Sequence, residues 1–285
     1  MSTLTEPTPT ATSATPLPPI AFIGGGNMAS AILGGLIRQG TPASAFEVVE
    51  PWAEARERLV AEFGIRALPE AAPALTRCEV VIWAVKPQSF AEAAQPVRPW
   101  AGKALHLSVA AGISSDSIAG WLGTERIVRA MPNTPALVGK GVTGLFARPA
   151  ASADRTLVER VLAPTGQLLW MADEGALDAV TAMSGSGPAY IFYFIEAMTE
   201  AGVEMGLPPE QAHQLAVATF TGASALAAAA TEPPSVLRER VTSKGGTTHA
   251  AITSMDAAQV KASFKSAIRA AQRRAAELAQ EFGRG

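Results

Sequence analysis

The chain has 285 residues, 48% hydrophobic and 17% charged, enough for two domains with a buried core. Its formal net charge of −2 argues against a general nucleic-acid or anionic-membrane partner and leaves room only for local basic patches. Cys78 is the single cysteine, so no internal disulfide can form; it reads as the buried start of a strand, and a cytoplasmic location is the expectation.

No apolar run approaches the roughly 18 residues of a membrane span. The first nineteen residues, "MSTLTEPTPTATSATPLPP", are rich in Thr and Pro and lack the basic and apolar regions of a signal peptide. Residues 1–19 are therefore expected to be a disordered tail. From residue 20 to about 172, short β-branched runs alternate with helical stretches. "IAFIG", "FEVVE", "EVVIWAV", "ALHLSVA", "RIVRAM" and "VTGLFA" are the strand candidates, and several are apolar almost throughout. Such strands, separated by helices such as Met28–Gln39, Trp52–Phe63, Ser114–Leu122 and Ser152–Leu162, predict a parallel sheet covered on both faces. The fold class is α/β, a Rossmann-like doubly wound domain. After "GQLLWMADEG" the strand signal stops, and residues 173–285 read as an all-α domain with a helix start near Pro208 and Pro209. A last long helical region from Thr248 to Phe282 is expected to break near Met255–Asp256. The many Ala, Gly and Ser positions permit close helix contacts, and a homodimer is expected to complete this core.

"AFIGGGNMASAI" passes from strand to helix with Gly24, Gly26 and Ala29 in the G-x-G-x-x-G/A positions. The first glycine permits the turn, the second lets backbone approach a pyrophosphate, and the helix N-terminus faces the phosphates. Ile23, Gly24, Gly25, Gly26, Asn27 and Met28 are thus candidate dinucleotide contacts. Glu50 ends the next strand, 21 residues after Ala29. An acid there holds ribose hydroxyls and repels a 2′-phosphate, which favours NADH, whereas nearby Arg56 and Arg58 pull toward NADPH. "AVKPQ" places Ala84, Val85, Lys86 and Pro87 at the end of a buried strand. Lys86 reads equally as a cofactor contact or as an exposed lysine before a helix-starting proline. "SVAAGI", with Ala110, and "AMPNTPALVGKG", with Asn133, end later strands at the same edge; ordinary turn chemistry would explain each as well.

Taken in order, "FIGGGNMA", "AVKP", "SVAAGI", "RAMPNTPALVGKG", "SGSGPAYIF" and "LRERVTSKGGTTHAAI" resemble the pyrroline-5-carboxylate reductase family from about Ile20 to the C-terminus. The glycine loop is common to many dehydrogenases; the last three segments together are specific. The resemblance implies a Rossmann domain, a helical dimerisation domain, dimers at times assembled into larger rings, and reduction of 1-pyrroline-5-carboxylate to L-proline by NADPH or NADH. It also implies that Thr248 hydrogen-bonds the ring nitrogen. Two departures stand out: Lys244 replaces a usual proline, and His249 a usual aliphatic residue.

That reaction needs orientation and charge complementarity rather than a strong acid or nucleophile, because an iminium is already electrophilic. The chain accordingly has no metal-spaced His/Cys cluster and no persuasive Ser–His–Asp set. The substrate carboxylate needs donors, and a Gly-Gly turn leading into a helix supplies bare N–H groups. Gly245, Gly246, Thr247 and Thr248 fit that role, with Ser243 assisting; the plain alternative is a helix connection capped by threonine. "SGSGPAY" is expected to open a long helix with Pro188 in its first turn, and the following "YIFYF" reads as core. A β-hydroxyacid dehydrogenase is the nearest rival, but "GSGPAYIFYFIEAM" lacks the lysine which that family carries there. A non-catalytic nucleotide sensor is the rival of a different class, since fold alone does not fix function.

Overall fold

A computed structural model describes residues 16–282. Most of the expected tail, residues 1–15, lies outside the described residues. Its last part is attached to the fold: Leu17 packs on the core, and the Pro19 carbonyl accepts the Glu79 amide at 3.0 Å.

The chain runs β1 (Ile20–Ile23), α1 (Asn27–Arg38), β2 (Phe46–Val49), α2 (Ala53–Phe63), β3 (Val80–Trp83), α3 (Phe90–Ala101), β4 (Leu105–Ser108), α4 (Ser115–Leu122), β5 (Ile127–Met131), β6 (Gly141–Ala147), α5 (Arg155–Leu162) and β7 (Gly166–Trp170). One sheet holds all seven strands in the order β2-β1-β3-β4-β5-β6-β7. Strands β1 to β5 are parallel, and the order reverses between β1 and β3, which opens a crevice beyond their carboxyl ends. β1, β3 and β4 are buried along their whole length, and two apolar clusters cover the two faces of the sheet. This matches continuous apolar runs in place of alternation.

Two features correct the expectation of a purely parallel sheet. β6 runs antiparallel to β5, and β7 then pairs parallel with β6. Only a single 3-10 turn, Thr134–Val138, separates β5 from β6, and that is too short for the crossover a parallel partner requires. β7 was not among the expected strands because it lies at the sheet edge, where Leu169 is half exposed and no continuous apolar run is needed. α3 also escaped the pattern: it carries Pro96 and Pro99 inside its span, yet Phe90, Ala94, Val97 and Ala101 recur on one buried face.

The rest is helical: α6 (Ala176–Val180), a π-helical turn (Thr181–Gly185), α7 (Gly187–Glu204), α8 (Pro209–Ala229), α9 (Pro234–Arg240), α10 (Thr247–Ala257) and α11 (Val260–Phe282). The break between the last two falls at Ala258–Gln259, three residues beyond the expected place, with Gln259 in the left-handed region at φ 53°. α11 packs against α6 and the π turn, and α7 packs on α8, where Gly202 approaches Ala212 too closely for a side chain of its own. A polar clasp ties this part to the sheet. Glu174 accepts from the Ser115 amide (2.6 Å), the Ser115 hydroxyl (2.5 Å) and Arg129 (2.7 Å). The helices bury little within one chain. α9 and α10 have no buried residue, and in "YIFYF" Phe192 and Tyr193 are 65% and 68% exposed. That segment is surface here and not core; only Tyr190 and Phe194 turn inward, edge-on to Phe264.

Burial also sets the chemistry of two side chains. Cys78 sits just before β3, and desolvation raises its thiol to about 11. His106, on β4, accepts the Trp83 indole N–H at Nδ1 (3.0 Å), and its Nε2 faces the Ala101 carbonyl (3.1 Å). A neutral ring protonated at Nε2 satisfies both contacts, and burial lowers its pKa to about 4. Between pH 6.5 and 4 the unfolded chain therefore binds a proton that the folded chain refuses. Stability contributed by His106 is complete above pH 6.5 and falls as pH drops, by about 1.4 kcal/mol per unit. The difference in urea-unfolding free energy between this chain and a His106→Gln variant should follow that slope between about pH 6.5 and 4.5, and the His106 ring should show no NMR titration above about pH 5.

Candidate active site

The carboxyl ends of β1 to β5 form one edge, and the ladder continues into the loops beyond them. The Gly24 amide donates to Val49 O (2.8 Å), the Ala84 amide to Ile23 O (2.8 Å) and the Val109 amide to Trp83 O (3.0 Å). Gly24 adopts φ +95°, and a β-carbon there would lie 2.6 Å from the Ala84 carbonyl oxygen. No other residue type fits that turn. At Gly26 a β-carbon would meet nothing within 4 Å, and this residue is the N-cap of α1 with no side-chain cap. The open space and the uncapped amides of α1 together suit a bound phosphate.

Glu50 fixes the loop from the side. Its carboxylate accepts from the Gly25 amide (2.7 Å) and from the Trp52 amide (2.9 Å), and the residue is only 6% exposed. Arg56 donates to the carbonyls of Glu50 (3.0 Å) and Pro51 (2.6 Å), and Arg58 to the Gly25 carbonyl (3.3 Å). A crevice of about 850 Å³ opens at this point, within the usual size of ligand pockets.

Of the residues expected to meet a dinucleotide, Ile23, Gly24, Gly26, Glu50, Ala84, Val85 and Lys86 line the crevice. Gly25 reaches it through Glu50. Asn27 opens α1, Met28 packs against the core, and Pro87 begins the 3-10 turn that leads into α3. None of the three lines the crevice, and neither do Ala110 and Asn133. Ala110 is buried behind β4, its amide on the Ser108 hydroxyl (3.3 Å). Asn133 Oδ1 accepts the Val142 amide (3.0 Å), which closes the turn between the antiparallel strands. Trp52, Pro69 and Glu70 also line the crevice and were not anticipated. In sequence Trp52 signals only a helix start, and the segment after α2 gives no pattern; that segment is drawn in by a parallel bridge between Val49 and Leu68.

The second group lies elsewhere. Gly245 takes φ +78°, the Gly246 amide donates to Ser243 O (3.0 Å), and Gly246 is the N-cap of α10 with no side-chain cap. The first amides of this 11-residue helix, those of Thr247, Thr248 and His249, thus lack intrahelical acceptors. Ser243, Lys244, Gly245, Thr247 and His249 are exposed, and Gly246 and Thr248 are half-buried. None of them lines the crevice within the same chain. "SGSGPAY" spans the junction: Ser184 and Gly185 are in the π turn, and Pro188 is in the first turn of α7. A β-carbon on Gly185 would lie 2.5 Å from the Met131 methyl at the end of β5, so this glycine lets the helix close onto the same sheet edge.

Residues 174–278 match the family model described as pyrroline-5-carboxylate reductase dimerisation, and residues 19–112 match that described as NADP oxidoreductase coenzyme F420-dependent. A pyrroline-5-carboxylate reductase of Pseudomonas aeruginosa is 44% identical over 93% of this chain and 98% of its own length. One from Arabidopsis thaliana is 36% identical over 92% and 95%. Among solved structures, the pyrroline-5-carboxylate reductase of Coxiella burnetii superposes with a TM-score of 0.84 at 35% identity, covering 92% of this chain and 98% of that one. The Plasmodium falciparum pyrroline carboxylate reductase with NADP bound gives 0.83 at 25% identity, with the same coverage.

Substituting Gly24→Ala forces a β-carbon into the Ala84 carbonyl. The expected outcome is a loss of about 1–3 kcal/mol in unfolding free energy and at least about tenfold weaker dinucleotide binding. Thermal denaturation and calorimetric titration check the two arms.

Proposed function

As a member of the pyrroline-5-carboxylate reductase family, this chain reduces 1-pyrroline-5-carboxylate to L-proline with NAD(P)H, and we propose that it does so in a cleft completed by a second copy. The reading is that the glycine loop, Glu50 and the segment from Ala84 to Lys86 hold the dinucleotide against the sheet edge. When bound, the reduced nicotinamide supplies a hydride to the imine carbon. The chain supplies position and charge. The amides that begin α10 donate to the substrate carboxylate, with Gly245 and Gly246 keeping side chains out of the way and Ser243 adding a donor. Dipole attraction at such a helix start contributes about 0.3–1 kcal/mol, and up to about 2 when partly buried. The Thr248 hydroxyl holds the ring nitrogen in its protonated form, so that the carbon stays electrophilic as hydride arrives.

The observation that carries this reading is the glycine N-cap of α10, which leaves amides outward beside two threonine hydroxyls. That this turn does not line the crevice of its own chain, together with the exposed apolar faces of α7 and α8, supports a homodimer in which one subunit's α10 faces the other's sheet edge. Assembly of such dimers into a larger ring is compatible with the same helical surface. No described helix is long and apolar enough to cross a membrane, and a cytoplasmic site of action fits the single buried cysteine.

Two experiments test these assignments. Thr248→Ala should lower kcat/KM by about 100-fold while leaving the Kd for NADH and NADPH within about twofold; unchanged turnover removes Thr248 from the reaction. Phe192→Glu, on the exposed face of α7, should yield monomers that still bind dinucleotide but have lost pyrroline-5-carboxylate-dependent NAD(P)H oxidation. A fully active monomer, measured by light scattering and absorbance on one sample, contradicts the shared cleft.

A further inference from the structure

The adenosine end of the crevice carries an unbalanced set of charges. Glu50, Glu70 and Glu92 line it, against the single ammonium of Lys86. Lys86 follows β3, whereas Glu50 and Glu70 follow β2 and α2, on the far side of the glycine loop. Neither arginine near Glu50 lines the crevice. Arg56 is held by two backbone carbonyls and faces a separate shallow groove beside Arg66. Arg58 is bonded to the Gly25 carbonyl and does not line the crevice.

The Glu50 carboxylate is fixed, because one oxygen accepts from Gly25 and the other from Trp52. A carboxylate offers about four acceptor positions, so two remain for hydroxyl donors. A vicinal pair of ribose hydroxyls supplies such donors. A 2′-phosphate supplies none in its ionised form and brings about two negative charges to a nearly buried carboxylate that the loop prevents from swinging away. Trp52, 72% exposed, also lines the mouth of the crevice and offers an apolar face to a base.

We infer that Glu50, held by the Gly25 and Trp52 amides and reinforced by Glu70, selects an unphosphorylated adenosine ribose and makes NADH the preferred reductant of this chain. The inference rests on the assignment of the crevice to the dinucleotide and adds its specificity.

Calorimetric titration of the full-length protein with NADH, NADPH, ADP-ribose and 2′-phospho-ADP-ribose tests it apart from turnover. Both unphosphorylated ligands should bind at least about tenfold tighter than their 2′-phosphorylated counterparts. Glu50→Gln should narrow that ratio at least fivefold, chiefly through a gain for the phosphorylated ligands. Because Glu50→Gln also loosens the glycine loop, Glu70→Gln, which removes an exposed charge only, provides an independent arm and should narrow the ratio about twofold. Equal or tighter binding of NADPH by the unaltered protein overturns the inference and leaves the reductase reading intact. So does a ratio that neither substitution moves. Failure of all four ligands to bind overturns the assignment of the crevice, and the inference with it.

Discussion

Between the ends of β1 and β3 there is room for backbone alone. A β-carbon on Gly24 would stand 2.6 Å from the Ala84 carbonyl oxygen, and the Gly24 amide is bonded to the end of β2. Three strands therefore meet at one residue that has no side chain, and the crevice beyond them owes its shape to that meeting. Had the turn been wider, Gly25 would have moved away from Glu50, and the carboxylate that now joins the glycine loop to α2 would have lost half of its anchorage. A buried carboxylate without donors is costly. The loop and the acid thus hold each other in place.

The two halves of the chain reach their packing in different ways. The sheet buries its strands on both faces with material from its own sequence. The helical half does not: apart from Gly202, Ala212, Ala216 and Ala275, the four helices from α7 to α11 that exceed ten residues bury almost nothing. Small side chains let these helices approach, while larger apolar ones such as Ile191, Phe192, Met198, Leu215 and Leu226 face outward from the chain. The Glu174 clasp to Ser115 and Arg129 adds hydrogen bonds and charge at the junction with the sheet, beside apolar contacts such as Phe282 on the sheet-side core.

Much of this was legible in the sequence, for physical reasons that can be named. "IAFIG" and "EVVIWAV" announce buried parallel strands because both of their faces are covered, and G-x-G-x-x-A announces a turn that only glycine can make. α3 was hidden because Pro96 and Pro99 mask a helical period that its buried face still obeys. β7 was hidden because an edge strand has only half of its surface to bury. "YIFYF" was misread because apolar content records that a surface will be covered, not by which chain. At the site, the positions that depend on neighbours in sequence were readable, and those brought in by tertiary pairing were not. Glu70 joins the crevice through the Val49–Leu68 bridge, which no local pattern encodes, whereas Trp52 enters it beside Glu50. Asn133 lies at the expected edge of the sheet, where its Oδ1 also closes the antiparallel turn.

The placement of the lone thiol has a practical side. Cys78 is buried against β3 and its pKa is raised to about 11, so at neutral pH it offers almost no thiolate and little access to an electrophile. The native chain is therefore expected to react slowly with maleimides. A cysteine introduced on an exposed helix would carry a fluorophore or spin label at one known position, with no need to remove the natural residue first, and pairs of labels could report directly on the distance between subunits.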